Sequence, residues 1–264
     1  MNNLSNLSLR LMTGGILAAV FLLALFVAPP PLWLAFVVVV ITLAAWEWAG
    51  LMNLAARARL AYAAATVPLA LASQVFELSG LAPIYLPTLL FWLLIAPLWL
   101  YRGWQRPAPW LGLILGWVLL LSTLLALLLL QAESPYLLLA AVGIAIVADT
   151  AAYFSGRAFG RHKLAPVISP GKTWEGAIGG AMAVALYALL LPTPEGLGKT
   201  VMVAAALVLC ALSVLGDLFE SWIKRRAGVK DSSRLLPGHG GILDRIDSQL
   251  AVLPAAALFW IWVK

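Results

Sequence analysis

The chain has 264 residues, of which 63% are hydrophobic and 11% charged, and its formal net charge is +6. Soluble domains contain about 45–50% apolar and about 25% charged residues, so this composition indicates an integral membrane protein. The single Cys210 excludes a disulfide or a thiolate metal cluster within the chain. In a membrane protein, excess Lys and Arg is expected to mark cytoplasmic loops, so we do not expect nucleic acid as a partner.

Long apolar runs recur without the alternating pattern of barrel strands, which predicts an all-α, polytopic fold with about nine transmembrane helices. The first run follows Arg10 and lacks a small-residue cleavage site, so we expect a retained span and not a signal peptide. Many Trp and Tyr residues, including Trp33, Trp48, Tyr101 and Trp110, are expected in an aromatic belt at the span ends. The predicted spans are about 11–28, 32–51, 60–77, 82–101, 110–131, 136–155, 175–191, 200–222 and 248–263.

Basic loops alternate with non-basic loops in this layout. One side receives Arg and Lys in five successive segments, while the other receives "PPP", Glu77, Glu133 and "TPEGLGK". The positive-inside rule then places the amino terminus and the basic segments in the cytoplasm, and an odd number of spans places Lys264 on the far side. The basic positions are Arg10, Arg57, Arg59, Arg102, Arg106, Arg157, Arg161, Lys163, Lys224, Arg225, Arg226 and Lys230.

The charged side chains are concentrated in the second half of the chain. Nineteen of the 28 Asp, Glu, Lys and Arg residues lie between Asp149 and Asp247. We therefore predict a transmembrane scaffold over 1–135 and a catalytic region over 136–264. Asp149 itself lies in an apolar span, where a charge costs about 2.5 kcal/mol or more unless it is paired, metal-bound or hydrated. It is a functional candidate, or else a structural partner for a basic residue on another helix.

The segment "SPGKTWEG" (169–176) resembles a phosphate-binding loop in its Gly-Lys-Thr sequence. A P-loop would need glycine where Pro166 stands, and a preceding strand that we do not expect in an all-helical protein. What remains is a small-residue loop with Ser169, Lys172 and Thr173 before a helix whose free N–H groups suit an anion. The alternative is a cytoplasmic turn with an ordinary lysine and helix cap.

Two pairs of carboxylates flank a basic, glycine-rich loop. Spacings of three and four residues place Asp217, Glu220, Ser221 and Lys224 on one helical face. Further on, Asp244 and Asp247 are three residues apart, with Arg245 between them. Carboxylate oxygens in this number predict a site for a hard cation such as Mg²⁺.

The loop between these pairs carries Arg225, Arg226, Lys230 and Arg234 and the glycines of "PGHGG", which let the backbone approach a ligand. Cations and a metal are what neutralise charge on a transferring phosphoryl group, so the pattern favours polyphosphate chemistry. His239 would donate to a phosphate or hold the turn. A solvated basic loop with ordinary ion pairs is the alternative.

The same residues resemble the signature of phosphatidate cytidylyltransferases. "SPGKTWEG" and "DTAAYFSGRAFG" are also similar to that family, so the resemblance is strong over about 149–247 and rests on hydropathy before it. The signature residues are Ser221, Ile223, Lys224, Arg225, Lys230, Asp231, Ser233, Leu236, Pro237, His239, Gly240, Gly241, Ile242, Asp244, Arg245, Ile246 and Asp247.

The resemblance implies an enzyme of the bacterial inner membrane that faces the cytoplasm. It would condense CTP with phosphatidic acid to CDP-diacylglycerol and pyrophosphate, require Mg²⁺ and possess a homodimeric structure. A second cation beside the first is compatible with the family resemblance.

The resemblance also suggests roles for individual residues. Asp217 and Asp244 would hold the metal, with Asp247 and Asp149 as further ligands. The remaining residues fall into three groups: Lys224, Arg225, Lys230 and Arg245 for triphosphate or lipid phosphate; Ser169, Lys172 and Thr173 for the anion pocket; and Ser221, Asp231 and His239 for orientation.

Two other functions fit parts of the pattern. A transporter would need charges through the depth of several spans, whereas these bunch at one membrane face. A CTP-dependent polyprenol kinase would transfer the γ-phosphate to an alcohol and would need a base. The products distinguish the cytidylyltransferase from the kinase: the first gives CDP-lipid with pyrophosphate, and the second gives lipid phosphate with CDP.

Overall fold

The computed structural model describes residues 2–72, 82–194 and 196–264. Glu77, Glu195 and the end of the predicted span 60–77 lie outside these residues. The helices are α1 (Asn2–Phe26), α2 (Pro30–Leu51), α3 (Ala56–Ala72), α4 (Ala82–Leu90), a π-helical turn (Phe91–Ile95), α5 (Ala96–Arg102), α6 (Pro109–Glu133), α7 (Pro135–Phe159), α8 (Trp174–Leu190), α9 (Lys199–Arg226), α10 (Leu243–Ile246) and α11 (Gln249–Val263).

The prediction of an all-α membrane protein is confirmed in its main part, but the count of nine spans is not. Each predicted span coincides with a helix, yet α8 and α11 are apolar helices of only 17 and 15 residues. A perpendicular crossing needs roughly 20 residues. Within the described ranges, six stretches are long and apolar enough to span: Ser8–Phe26, Pro30–Leu51, Tyr85–Arg102, Pro109–Glu133, Pro135–Phe159 and Lys199–Arg226.

Proline sets several helix boundaries, as the sequence indicates. Pro30, Pro109 and Pro135 each occupy the first turn of a helix, where a missing N–H costs no hydrogen bond. Pro97 follows the π-helical turn Phe91–Ile95, and its lack of an N–H accounts for the local departure from α-helical bonding there. The connections before Pro30 and Pro135 are therefore short.

Small residues bring α7 and α8 into close contact along their length. A Cβ added at Gly176 would lie 2.8 Å from the Ala152 carbonyl oxygen, and one added at Gly180 would lie 2.9 Å from that of Ala148. Close backbone approach through small residues is a common way to associate helices in a membrane. The pair α7 and α8 therefore forms a rigid wall, against which α9 also packs.

The aromatic-belt expectation is only partly right. Tyr101 and Trp110 are exposed, as the belt requires. For Trp33 and Trp48 the expectation is wrong, because they are only 2% and 1% exposed and belong to the helix core. The Trp48 indole N–H donates to the Gly112 carbonyl at 2.9 Å and so joins α2 to α6.

A small hairpin interrupts the helices. Strand β1 (Lys163–Ala165) pairs antiparallel with β2 (Ser169–Thr173), so "SPGKT" is a strand and not a loop. The expectation that the protein holds no strand was therefore wrong, and the P-loop is excluded by Pro166 alone. Strands this short, with Pro170 and Gly171 inside, lack an alternating hydrophobic pattern from which they could be predicted.

Candidate active site

The predicted polar face of α9 is present. The Ser221 hydroxyl donates to Asp217 Oδ1 at 3.2 Å, and Lys224 forms an ion pair with Glu220 one turn before it. These pairs are separated by four residues, the spacing at which side chains meet on a helix. The face looks toward α10 and the hairpin, so it lies at the centre of the candidate site.

Lys224 connects α9 to α10. Its ammonium nitrogen lies 2.5 Å from Asp244 Oδ1, and both side chains are buried. The sequence predicted a metal ligand at Asp244 and a phosphate contact at Lys224. The structure brings the two residues together as an ion pair that spans the loop of residues 227–242. This ion pair holds the two ends of the loop together.

The second oxygen of Asp244 is also occupied. Oδ2 accepts hydrogen bonds from the Ser232 N–H and hydroxyl, both at 2.9 Å, and from the Gly241 N–H at 2.7 Å. Burial acts to raise the pKa of Asp244, but the Lys224 ammonium and these N–H donors hold it below its usual value. A metal at Asp244 would have to displace one of these donors, and its role as a ligand stays a prediction.

Glu47 of α2 is a site residue that the sequence reasoning missed. Its carboxylate is 0% exposed and accepts from the Ser233 hydroxyl at 2.6 Å. The Ser232 hydroxyl lies 3.1 Å from Glu47 Oε2 and 2.9 Å from Asp244 Oδ2, so the two carboxylates share its one proton. It also accepts from the N–H groups of Ile242 at 3.0 Å and Leu243 at 2.6 Å. A lone carboxylate in an apolar span was the available signal, by the same reasoning that singled out Asp149.

The hairpin delivers Lys172 to α9. The Lys172 ammonium nitrogen lies 2.6 Å from Asp217 Oδ2, and about a quarter of each side chain is accessible. Asp149 of α7 lies close enough to interact electrostatically with both residues. The structure therefore brings together Lys172, Asp217 and Asp149, three candidates drawn from separate segments.

Asp247, at the C-terminal end of α10, joins the same group. Burial raises the pKa of Asp247 to about 7, and the negative charges of Asp217 and Asp149 add to this rise. The Ser248 N–H, 2.7 Å from Oδ1, partly opposes it. Carboxylates that repel one another in this way form a donor set suited to a hard cation.

The predicted metal cluster is not assembled at ligand distances. Across residues 2–72, 82–194 and 196–264, no group of three or more His, Cys, Asp or Glu side chains is arranged to hold a metal ion. Instead of a metal ion, Lys172 contacts the Asp217 carboxylate and Lys224 contacts the Asp244 carboxylate. The oxygen donors fit Mg²⁺ in kind and in charge, and the cation stays a prediction.

The remaining candidates differ in their exposure and local contacts. Thr173 is the N-cap of α8, since its hydroxyl accepts from the Gly176 N–H at 3.1 Å. Arg225 donates to the Val229 carbonyl at 3.2 Å on the exposed face of the loop. Ser169 is partly buried in β2, and the exposed members are Lys230, Asp231 and Arg245.

His239 lies in a tight turn. Its N–H donates to the Leu236 carbonyl at 2.9 Å, within a short bridge closed by Gly238 and Gly240 at φ of 76° and 77°. Its ring lies against α1, since a Cβ at Gly14 would be 3.3 Å from Nε2. These contacts describe the backbone of the turn and the place of the ring, and the choice between the two predicted roles of the His239 side chain stays a prediction.

Comparison with known proteins shows the family of this chain. Residues 8–262 match the sequence model of the cytidylyltransferase family. The chain belongs to this family. A phosphatidate cytidylyltransferase of Pseudomonas aeruginosa is 39% identical over 263 residues, which covers 95% of this chain and 96% of that protein.

Other relatives match mainly over part of their length. The phosphatidate cytidylyltransferase of Haemophilus influenzae is 48% identical over 136 residues, 48% of this chain and 46% of that protein. A Staphylococcus aureus relative with the same name is 46% identical over 126 residues, 47% and 48% of the two chains. The similarity to the family suggested by the signature residues is thereby confirmed.

Proposed function

We propose that this cytidylyltransferase condenses CTP with phosphatidic acid to give CDP-diacylglycerol and pyrophosphate in phospholipid biosynthesis. The observation that carries the proposal is the match over 95% of the chain to a phosphatidate cytidylyltransferase. The grouping of Lys172, Asp149, Asp217 and Asp247 beside the signature loop supports it, because this chemistry handles several phosphates at once.

The reaction needs no general base. The phosphate of phosphatidic acid is already an anion, so its oxygen forms the new bond to the α-phosphorus of CTP while the bond from that phosphorus to the β-phosphate oxygen breaks. Pyrophosphate leaves with the electron pair. Catalysis then consists of positioning two anions and neutralising their charge.

Basic residues of the site divide this work. Lys172 is held by Asp217 and partly accessible, so its ammonium is placed to exchange that carboxylate for a phosphate oxygen. The exposed Arg225, Lys230 and Arg245 extend from the end of α9, the loop and α10, where they would meet the triphosphate or the lipid phosphate. Lys224 is buried against Asp244, so we assign it first to holding the loop.

Mg²⁺ is the proposed cofactor, and the proposal includes a second cation as an alternative to a single ion. Asp217, Asp247 and Asp149 would hold it, and Asp244 would join them only by releasing one of its present donors. When bound, the ion would supply charge neutralisation at the phosphoryl oxygens. Ser221 contributes by orienting the Asp217 carboxylate.

The setting is a bacterial inner membrane, with the amino terminus and the site on the cytoplasmic side. The asymmetry of Arg and Lys between loops supports this orientation. A cytoplasmic site would let a lipid headgroup meet a soluble nucleotide. The family resemblance is the ground for proposing a homodimer.

The test is an assay of the purified protein in detergent micelles with phosphatidic acid, Mg²⁺ and CTP labelled at the α-phosphate. We expect label in an organic-extractable CDP-lipid together with release of pyrophosphate. Label that stays in free CDP, with phosphorylation of an added polyprenol, would favour the kinase. Folded protein with neither product would contradict both enzymatic readings.

A further inference from the structure

We infer that Glu47 is a positioning residue that fixes the signature loop and α10 from the opposite half of the chain. The kinetic part of this inference rests on the proposed function. Glu47 lies in α2, 186 residues before Ser233, and is fully buried. It touches no atom that we place on substrate, so its effect must pass through the loop.

All four groups that contact Glu47 are donors. Oε1 accepts from the Ser233 hydroxyl and the Ile242 N–H, and Oε2 accepts from the Leu243 N–H and shares the single Ser232 hydroxyl proton with Asp244 Oδ2. Only a carboxylate offers two oxygens that each accept two hydrogen bonds. A glutamine would turn an NH₂ group toward two of these donors, so it would leave a buried backbone N–H without an acceptor.

The contacts join the two ends of one turn. Ser232 and Ser233 stand before the "PGHGG" segment, and Ile242 and Leu243 stand after it. Ser232 lies between Glu47 and Asp244, since its hydroxyl is within 3.1 Å of the first carboxylate and 2.9 Å of the second. Glu47 and Asp244 therefore hold the loop from opposite sides.

Gly241 shows how closely the loop fits Glu47. A Cβ at this position would lie 2.4 Å from Glu47 Oε1 and 2.1 Å from the Ser232 hydroxyl oxygen. Neither atom is free to move, because each is held by other hydrogen bonds. The absence of a side chain at Gly241 is what lets the backbone reach the carboxylate.

Asp244, Arg245 and Asp247 follow immediately after the Leu243 N–H that Glu47 binds. A shift of this N–H would move the Asp244 contact with Lys224 and the group of Asp247 with Asp217. Misplacement of about 1 Å costs about a hundredfold in rate when catalysis depends on positioning. The role of Glu47 is thus to set the start of α10.

The experiment compares Glu47→Gln, Ser233→Ala and the control Glu133→Gln, whose partly exposed carboxylate pairs with Lys264 at the C-terminal end of α6. Hydrogen exchange of the Ile242 and Leu243 amides is measured in the full protein. The assay then gives kcat per folded enzyme and KM for CTP, with folding checked by gel filtration and thermal unfolding.

We expect exchange at these two amides to accelerate about tenfold or more in Glu47→Gln, because their acceptor is impaired. We expect kcat per folded enzyme to fall about 30-fold or more with KM for CTP within about threefold, since the preorganised geometry acts mainly in the transition state. Ser233→Ala removes one donor and should show the same changes at about a third of the size on a logarithmic scale. Glu133→Gln should leave both readouts unchanged.

Unchanged exchange at Ile242 and Leu243 in Glu47→Gln would overturn the inference, as would kcat per folded enzyme within about threefold of the wild type. If Glu47→Gln does not fold, Ser233→Ala decides, and unchanged exchange at both amides or kcat per folded enzyme within about 1.5-fold of the wild type would then overturn the inference. If the wild type makes no CDP-lipid, the proposed function fails, and the exchange readout still decides whether Glu47 holds the loop.

Discussion

Two carboxylate regions of the site differ in their surroundings. Asp244 and Glu47 are buried, and each of their oxygens accepts hydrogen bonds or an ion pair from the protein. Asp217 is accessible over 26% of its side chain and lies beside Asp149 and Asp247, whose charges repel it. The first region is buried and builds the loop, whereas Asp217 in the second is partly accessible and its partner Lys172 can exchange it for another anion.

Replacement of Asp217 should break the ligand-binding region alone. For Asp217→Asn we expect a loss of about a thousandfold or more in kcat, because the proposed Mg²⁺ loses a carboxylate ligand and Lys172 loses the partner that positions it. The melting temperature should change by no more than about 3 °C, since a partly exposed ion pair contributes little to stability. Activity within tenfold of the wild type would contradict the assignment of Asp217.

Replacement of Asp244 should instead break the loop-building region. Asp244→Asn leaves Lys224 with only Glu220, and a buried pair that loses one partner costs about 3 kcal/mol. We expect a melting temperature about 10 °C lower, with a large loss of activity. Thermal unfolding in detergent measures this. A fully stable but inactive Asp244→Asn would indicate that Asp244 acts as a ligand, like Asp217.

Lys172 tests whether the hairpin serves the nucleotide. For Lys172→Gln we expect KM for CTP to rise about tenfold, because one charge-assisted contact to phosphate is lost. Lys163→Gln is the control, since Lys163 is exposed on the neighbouring strand of the same hairpin. Equal effects of the two substitutions would mean that only the general positive charge matters.

The smallest expected effect separates a helix cap from a substrate contact. Thr173→Ala removes the acceptor for the Gly176 N–H, so α8 should lose about 1 kcal/mol of stability and the melting temperature about 3 °C. We expect activity within about threefold of the wild type. A larger loss of activity without loss of stability would restore the predicted substrate role of Thr173.

Much of the fold was predictable from hydropathy. Apolar runs and prolines placed a helix at each predicted span, because backbone hydrogen bonds must be satisfied internally within a membrane. The number of membrane crossings was not predictable. Helices α8 and α11 are apolar, like the full spans, and only their lengths of 17 and 15 residues in the structure distinguish them. The division into a scaffold over 1–135 and a catalytic region over 136–264 stays a prediction. Glu47 belongs to the first region and accepts hydrogen bonds from the second.

The candidate site was predictable in its residue types but not in its pairings. Spacing on α9 predicted that Glu220 and Lys224 share a face, which is a local property of a helix. The pairing of Lys224 with Asp244, and of Lys172 with Asp217, joins separate elements and depends on how the loop and the hairpin return to α9. The same holds for Glu47, whose partners lie almost 200 residues away along the chain.

The sequence by itself determined that this is a helical membrane protein of the cytidylyltransferase family, because hydropathy and a long mixed signature are properties of the linear chain. Only the tertiary structure decided which carboxylates are buried against donors of the loop and which stay partly accessible. The buried contacts depend on donors that arrive from distant segments at distances near 3 Å, and packing of the helices sets those distances.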